Sequence, residues 1–122
     1  MGVRILIADD NLAVRTRLRR GLNAYDDWVI CAEAENGQQA VSKAEEQRPD
    51  VGILDLSMPV LNGLHACREI KRILPAVRVF IYTLYDSASV EREARKVGAR
   101  AVIPKGWPVE FLIVAVEERL GN

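Results

Sequence analysis

Cysteine, net charge and long apolar runs are all scarce in this chain, and each shortage excludes something. Cys31 and Cys67 are the only cysteines and have no close spacing, so they read as reduced, partly buried thiols of a cytoplasmic protein. Lys plus Arg is 17 and Asp plus Glu is 17, which gives bulk electrostatics no hold on nucleic acid. The longest uncharged apolar run, Phe111 to Val116, is far too short to cross a bilayer. Met1-Gly2-Val3-Arg4 runs straight into a strand pattern, so no signal peptide is expected. Linkers, low-complexity tracts and long-period repeats are missing too. That leaves one domain over residues 1–122, with 49% apolar residues to build its core.

What is present is a fivefold alternation of strand and helix. Val3 to Ala8 is a β-branched apolar run that stops at Asp9-Asp10. Residues 11–25 read as a helix, with Val14, Leu18, Leu22 and Tyr25 on one face and Arg17 and Arg20 opposite. Trp28 to Ala34 is the second strand, and Gln38 to Gln47 the second helix, stopped by Arg48-Pro49-Asp50. Val51-Gly52-Ile53-Leu54 is an apolar run that ends on Asp55, as suits a strand buried on both faces. A third helix opens at Asn62-Gly63 and turns Cys67, Ile70 and Leu74 inward. Val77 to Thr83 is the fourth strand, Asp86-Ser87 caps a fourth helix to Val97, and Ala101 to Ile103 is the fifth strand. Pro108 suits the first position of a last helix to Leu120. Such alternation implies a parallel sheet with helices on both faces, because parallel strands need crossover connections.

Every strand end but the second then carries a polar residue to one rim: Asp9-Asp10, Asp55, Thr83 and, just beyond the fifth, Lys105. Carboxylates crowded in one pocket raise one another's pKa unless a cation joins them. Oxygen-only ligation suits Mg2+. A lysine and a hydroxyl beside such a cation would complete a clamp for a phosphoryl group, and an aspartate could act as the nucleophile.

At the level of motifs the chain resembles a response-regulator receiver domain of two-component signalling, in particular receivers that precede LuxR-type DNA-binding domains. The marks are Asp9-Asp10, the DLSMPVLNG stretch with Asp55, Thr83 closing the fourth strand, and Pro104-Lys105. The runs AEAENG at 32–37 and VGARA at 97–101 are also similar to that family. The resemblance implies a flavodoxin-like (βα)5 three-layer sandwich with strand order 2-1-3-4-5. It implies Asp55 as phosphoacceptor and Mg2+ held by Asp10, Asp55 and the backbone carbonyl of Ser57, with Asp9 acting through water. It implies Lys105 and Thr83 on the phosphoryl group, a sensor histidine kinase as donor, and a surface around the fourth and fifth helices that switches an output, most naturally transcription. DNA would be reached only through an output domain outside this chain. Such a domain assists its own phosphorylation and is a switch, not a turnover enzyme.

Some positions depart from the family. Val102 stands where receivers usually carry a switch aromatic. Leu84 replaces a small residue beside Thr83, and Tyr85 and Ser57 occupy positions that tune phosphoryl lifetime and access. Two other readings therefore stay open: a receiver-like binding module without phosphate switching, and a Mg2+-dependent phosphotransferase. Ser57 counts against the second, since such enzymes place an acid/base aspartate two residues after the nucleophile. On the last helix, Val109, Leu112, Ile113, Val116 and Leu120 face inward, which turns Phe111 and Val114 outward. With Trp107 they form a candidate partner surface. A homodimer through the fourth helix, fifth strand and fifth helix, or through the first and fifth helices, is the self-association that suits it. His65 falls on an outer helix face and reads as solvent-exposed. The arginines 15, 17, 19 and 20 read as a solvated stripe, with kinase docking as the second reading.

Overall fold

The structure, a computed structural model, describes residues 2–24 and 27–120, and of residues 119 and 120 the backbone alone. Its elements are β1 (Val3–Ala8), α1 (Leu12–Leu22), β2 (Trp28–Ala34), α2 (Gly37–Gln47), β3 (Val51–Asp55), α3 (Gly63–Ile73), β4 (Arg78–Thr83), α4 (Ala88–Lys96), β5 (Ala101–Pro104) and α5 (Val109–Leu120). The five strands form one parallel sheet in the order β2-β1-β3-β4-β5. The winding reverses between β1 and β3, which makes the C-terminal ends of these two strands the switch point of the sheet.

Period-two alternation along the strands sorts the core into two layers. Ile5, Ile7, Val51, Ile53, Phe80 and Tyr82 point to one face and meet Leu18 and Leu22 of α1 and Leu112, Ile113 and Val116 of α5. Leu6, Ala8, Leu54, Val79 and Ile81 point to the other, against Ala40 and Ala44 of α2, Cys67 and Ile70 of α3 and Ala94 of α4. Both faces of β3 are covered and all five of its residues are buried, which is why it reads as an unbroken apolar run.

Capping fixes where the helices begin. Asn11, Asn36, Asn62 and Ser87 each accept a backbone N–H of the first turn of α1, α2, α3 and α4. Ser87, not Asp86, is therefore the cap of α4. The first helix is shorter than the 11–25 expected, because Asn23 already closes it at Leu22. Tyr25 and the side chain of Leu120 lie outside the described residues. Pro108 precedes α5 rather than opening it, Val77 precedes β4, and β5 extends to Pro104. These are end effects of one or two residues.

The solvated arginine stripe on α1 needs correction. Arg15 is buried, its side chain only 11% exposed, while Arg17 and Arg20 are exposed as expected. Positions 15, 18 and 22 share one helical face, so Arg15 belongs with Leu18 and Leu22. Glu33 on β2 neutralises it.

Candidate functional site

Strand register builds the site. Ala8 pairs with Leu54 and Asp55 with Tyr82, so Asp9 and Asp55 emerge as neighbours across β1 and β3. Thr83 pairs with Pro104, which puts Lys105 one residue past the end of β5, with its N–H donating to the Thr83 carbonyl at 2.8 Å. The result is a cleft of about 240 Å³ lined by Asp9, Asp10, Asn11, Asp55, Ser57, Leu84, Tyr85 and Lys105.

The carboxylates of Asp9, Asp10 and Asp55 each bring an oxygen within 4.8 Å of the others. Asp9 is 2% exposed and Asp55 6%, whereas Asp10 is exposed. The Lys105 ammonium spans the two buried acids, 2.7 Å from Asp9 Oδ2 and 3.2 Å from Asp55 Oδ1. Burial pushes the Asp55 carboxyl above its ordinary range, and the Asp9 charge pushes the same way. Lys105 and the Ser57 N–H pull it back without cancelling the rise. Burial alone would lower the Lys105 ammonium, but its close ion-pair contact with Asp9 and the charge of Asp55 leave it raised. One ammonium therefore stands against three carboxylates, and the pocket is short of positive charge.

A hard cation fits that shortage. The donors are all oxygen, and Asp9 Oδ2 is buried with the ion-pair contact to Lys105 but no well-directed hydrogen bond. The other oxygen of Asp9 is already used, since Oδ1 accepts the Asn11 N–H at 2.9 Å.

The remaining expected residues divide. Ser57, Leu84 and Tyr85 do line the cleft, with Leu84 69% and Tyr85 63% exposed. Thr83 is fully buried and is not among the lining residues. Its Oγ1 accepts the Tyr85 N–H at 2.9 Å, which ties the loop after β4 to the strand end. Val102 is half-buried against the α2/α3/α4 layer and borders a separate hollow of about 230 Å³ between α4 and β5. Trp107 belongs with the α5 surface and does not line the cleft; its ring centroid lies 5.2 Å from that of Phe111. Phe111 and Val114 are exposed as the helical wheel indicated, and so is His65.

Some contributors have a part in the site that the sequence did not mark. Gly63 and Gly37 seat the loop that follows Asp55. A Cβ on Gly63 would collide with the Asp55 carbonyl, and one on Gly37 with the Leu61 carbonyl. Tyr82 is another: Lys105 Nζ lies 6.0 Å from its ring centroid, and its hydroxyl accepts from Arg17 Nη2 at 3.2 Å. The signal was a tyrosine alternating with Phe80 on a buried strand face, where its hydroxyl needs a partner. Arg15 is a further one, donating from Nη1 to the Asp9 carbonyl at 2.7 Å, with the signal already given by its helical face.

Fold and site thus define a small doubly wound α/β domain with a charged pocket at its switch point. The chain belongs to the response regulator receiver domain family, whose model matches residues 5–117. It is 41% identical over 115 residues to the oxygen regulatory protein NreC of Staphylococcus epidermidis, covering 93% of this chain and 53% of that protein. It is 33% identical over 114 residues to the transcriptional regulatory protein LnrK of Bacillus subtilis, covering 93% and 52%. The chain spans about half the length of these curated relatives. Among solved structures, a LuxR-family two-component response regulator from Aurantimonas sp. SI85-9A1 superposes with a TM-score of 0.93 at 28% identity, covering 99% of this chain and 86% of that one.

Proposed function

We propose that this receiver takes a phosphoryl group on Asp55 in the presence of Mg2+ and works as a switch rather than a turnover enzyme. The observation that carries the reading is the cluster itself: three carboxylates within 4.8 Å of one another, two of them bridged by the Lys105 ammonium. Asp10 and Asp55 would hold Mg2+ directly, with the Ser57 carbonyl as a third donor and Asp9 acting through water. Bound there, the cation would offset the negative charge on the acids and on the incoming phosphoryl oxygens.

The chain's own part is then plain. A carboxylate oxygen of Asp55 attacks the phosphorus of a phosphohistidine on a sensor kinase. The P–N bond breaks with its electron pair going to the imidazole, and an acyl phosphate remains on Asp55. Lys105 already lies 3.2 Å from Asp55 Oδ1 and pairs with the transferred group. Thr83 gives up its hydrogen bond to the Tyr85 N–H to reach the phosphoryl oxygens, and that exchange releases the loop leading to α4. The population of a second surface arrangement around α4, β5 and α5 rises in consequence.

The name of LnrK, a transcriptional regulatory protein, supports transcription as the output, reached through a DNA-binding domain outside this sequence and through homodimers using α4/β5/α5 or α1/α5. No helix among the described residues is long and apolar enough to cross a membrane. A cytoplasmic site of action suits the reading. A phosphate-independent binding module is the second reading, favoured by Val102 at the aromatic position.

Acetyl phosphate or beryllofluoride with Mg2+, read by intact mass and amide shifts, separates the two. One phosphoryl adduct on the wild type, lost in Asp55→Asn, is the expected result. Neither adduct nor shift would leave the binding module standing. Sustained phosphate release from many substrates would instead make the protein a phosphotransferase.

A further inference from the structure

The structure assigns Arg15 as a positioning residue that holds the Asp9-Asp10 peptide in the orientation the cation site needs. This inference rests on the Mg2+ reading of that site.

Asp10 is the exposed member of the cluster, and its carboxylate takes part in no hydrogen bond or ion pair among the described residues. Its aim is set by the backbone that carries it. The Asp9 carbonyl and the Asp10 N–H share one rigid peptide plane. Arg15 Nη1 donates to that carbonyl at 2.7 Å in a buried contact. On the other side of Asp9, its N–H donates to the Ala34 carbonyl of β2 at 3.0 Å. Asp9 is thus pinned at both backbone ends and at Oδ1, and the peptide leading to Asp10 is pinned by Arg15.

Arg15 is itself held. Its Nε donates to Glu33 Oε1 at 3.1 Å, and Arg19 Nη1 holds the other oxygen of Glu33 at 2.6 Å. Glu33 is the strand partner of Ile7 and neighbours Ala34, so the brace and the backbone anchor arise from adjacent residues of β2. The planar fork matters more than the charge. Nε faces Glu33 while Nη1 faces the Asp9 carbonyl, two directions that one ammonium cannot serve in the same way. Partners of this kind behind a metal ligand commonly change affinity by about 10- to 100-fold when removed.

The test is a titration of the domain with MgCl2 alone, followed by amide shifts, on wild type, Arg15→Met and Arg15→Lys. Thermal unfolding without Mg2+ is measured beside it. Arg15→Lys keeps the charge and serves if Arg15→Met does not fold. The expected result is Mg2+ affinity about 10-fold weaker in both variants, with the phosphorylation rate largely regained at saturating Mg2+. A loss below about 3-fold in Arg15→Lys would overturn the positioning role, even if its melting temperature falls, and leave Arg15 as a brace of the fold only. Wild type that shows no Mg2+-dependent shifts at Asp9, Asp10 and Asp55 would overturn the metal reading itself, a failure distinct from the other. Glu33→Gln leaves the Asp9 contact in place, and a loss smaller than that of Arg15→Lys would sharpen the assignment.

Discussion

The rim of the sheet has two halves built to different rules. On the β1/β3 half, Asp9 is fixed at its N–H, its carbonyl and Oδ1, and α3 begins so close to β3 that Gly63 admits no side chain. On the β4/α4 half, residues 84–89 are all exposed, and Thr83 Oγ1 to Tyr85 and the Ser87 cap tie them down. The first half gathers like charges that repel, so it holds only if the surrounding backbone over-determines it. The second half carries little buried contact, and such segments open at low free-energy cost. A switch needs both: a rigid place where charge arrives and a loose segment that can answer it.

The contrast breaks most severely at Gly63. Gly63→Ala would drive a methyl into the Asp55 carbonyl, with backbone on both sides of the clash. The expected loss is about 3 kcal/mol in urea unfolding, together with loss of the Mg2+ response. Stability within about 1 kcal/mol of wild type would mean the β3–α3 junction gives way easily, and the rigid half would not be rigid.

The next effect is electrostatic. The folded Asp55 carboxyl titrates above its ordinary 3.8, so between that value and its folded one the native state keeps a proton that the unfolded chain has released. Stability then falls as pH rises through that window and is greatest below it. Without divalent cation, Asp55→Asn should gain on wild type in melting temperature as pH goes from about 4 toward neutrality. MgCl2 should shrink the difference. A gap that stays constant with pH would show that Lys105 alone satisfies the pocket.

A smaller change tests the loose half. Thr83→Val keeps the shape and removes the acceptor for the Tyr85 N–H. The cost should be about 1 kcal/mol in unfolding. Acetyl phosphate should still modify Asp55, while the amide shifts that follow on α4 shrink. Full-sized shifts on α4 in this variant would detach Thr83 from the report.

How much of this was legible in the sequence follows from the range of each cause. The fold was, because strand and helix periods are local, and the run Val51 to Asp55 announces a strand covered on both faces. The charged residues of the site were legible too, because strand ends in a parallel sheet share a rim. The braces were harder. Arg15 sits among three other arginines whose shared charge suggested a solvated stripe, and only its phase with Leu18 and Leu22 marks it as inward. Tyr82 shows its purpose only once Arg17 and Lys105 are brought to it from α1 and the end of β5. The clashes at Gly37 and Gly63 are contacts between backbones, and no side-chain pattern encodes them.

Tyr85 gives the finest test. It is 63% exposed yet lines the charged cleft beside Leu84, so it adds little to the core and much to the entrance. Tyr85→Ala should leave unfolding within about 0.5 kcal/mol of wild type, as exposed substitutions usually do. Its effect should appear in the acyl phosphate. An aromatic ring at the mouth hinders a water molecule from lining up behind the phosphorus, and removing it should shorten the phosphoryl lifetime by roughly 3- to 10-fold, about 1 kcal/mol of barrier. The measurement is loss of the adduct by intact mass after acetyl phosphate is removed. An unchanged lifetime would mean that Leu84 and Ser57 shape water access without it. A changed lifetime at constant stability would show that the loose half governs how long the signal lasts, as well as reporting that it has arrived.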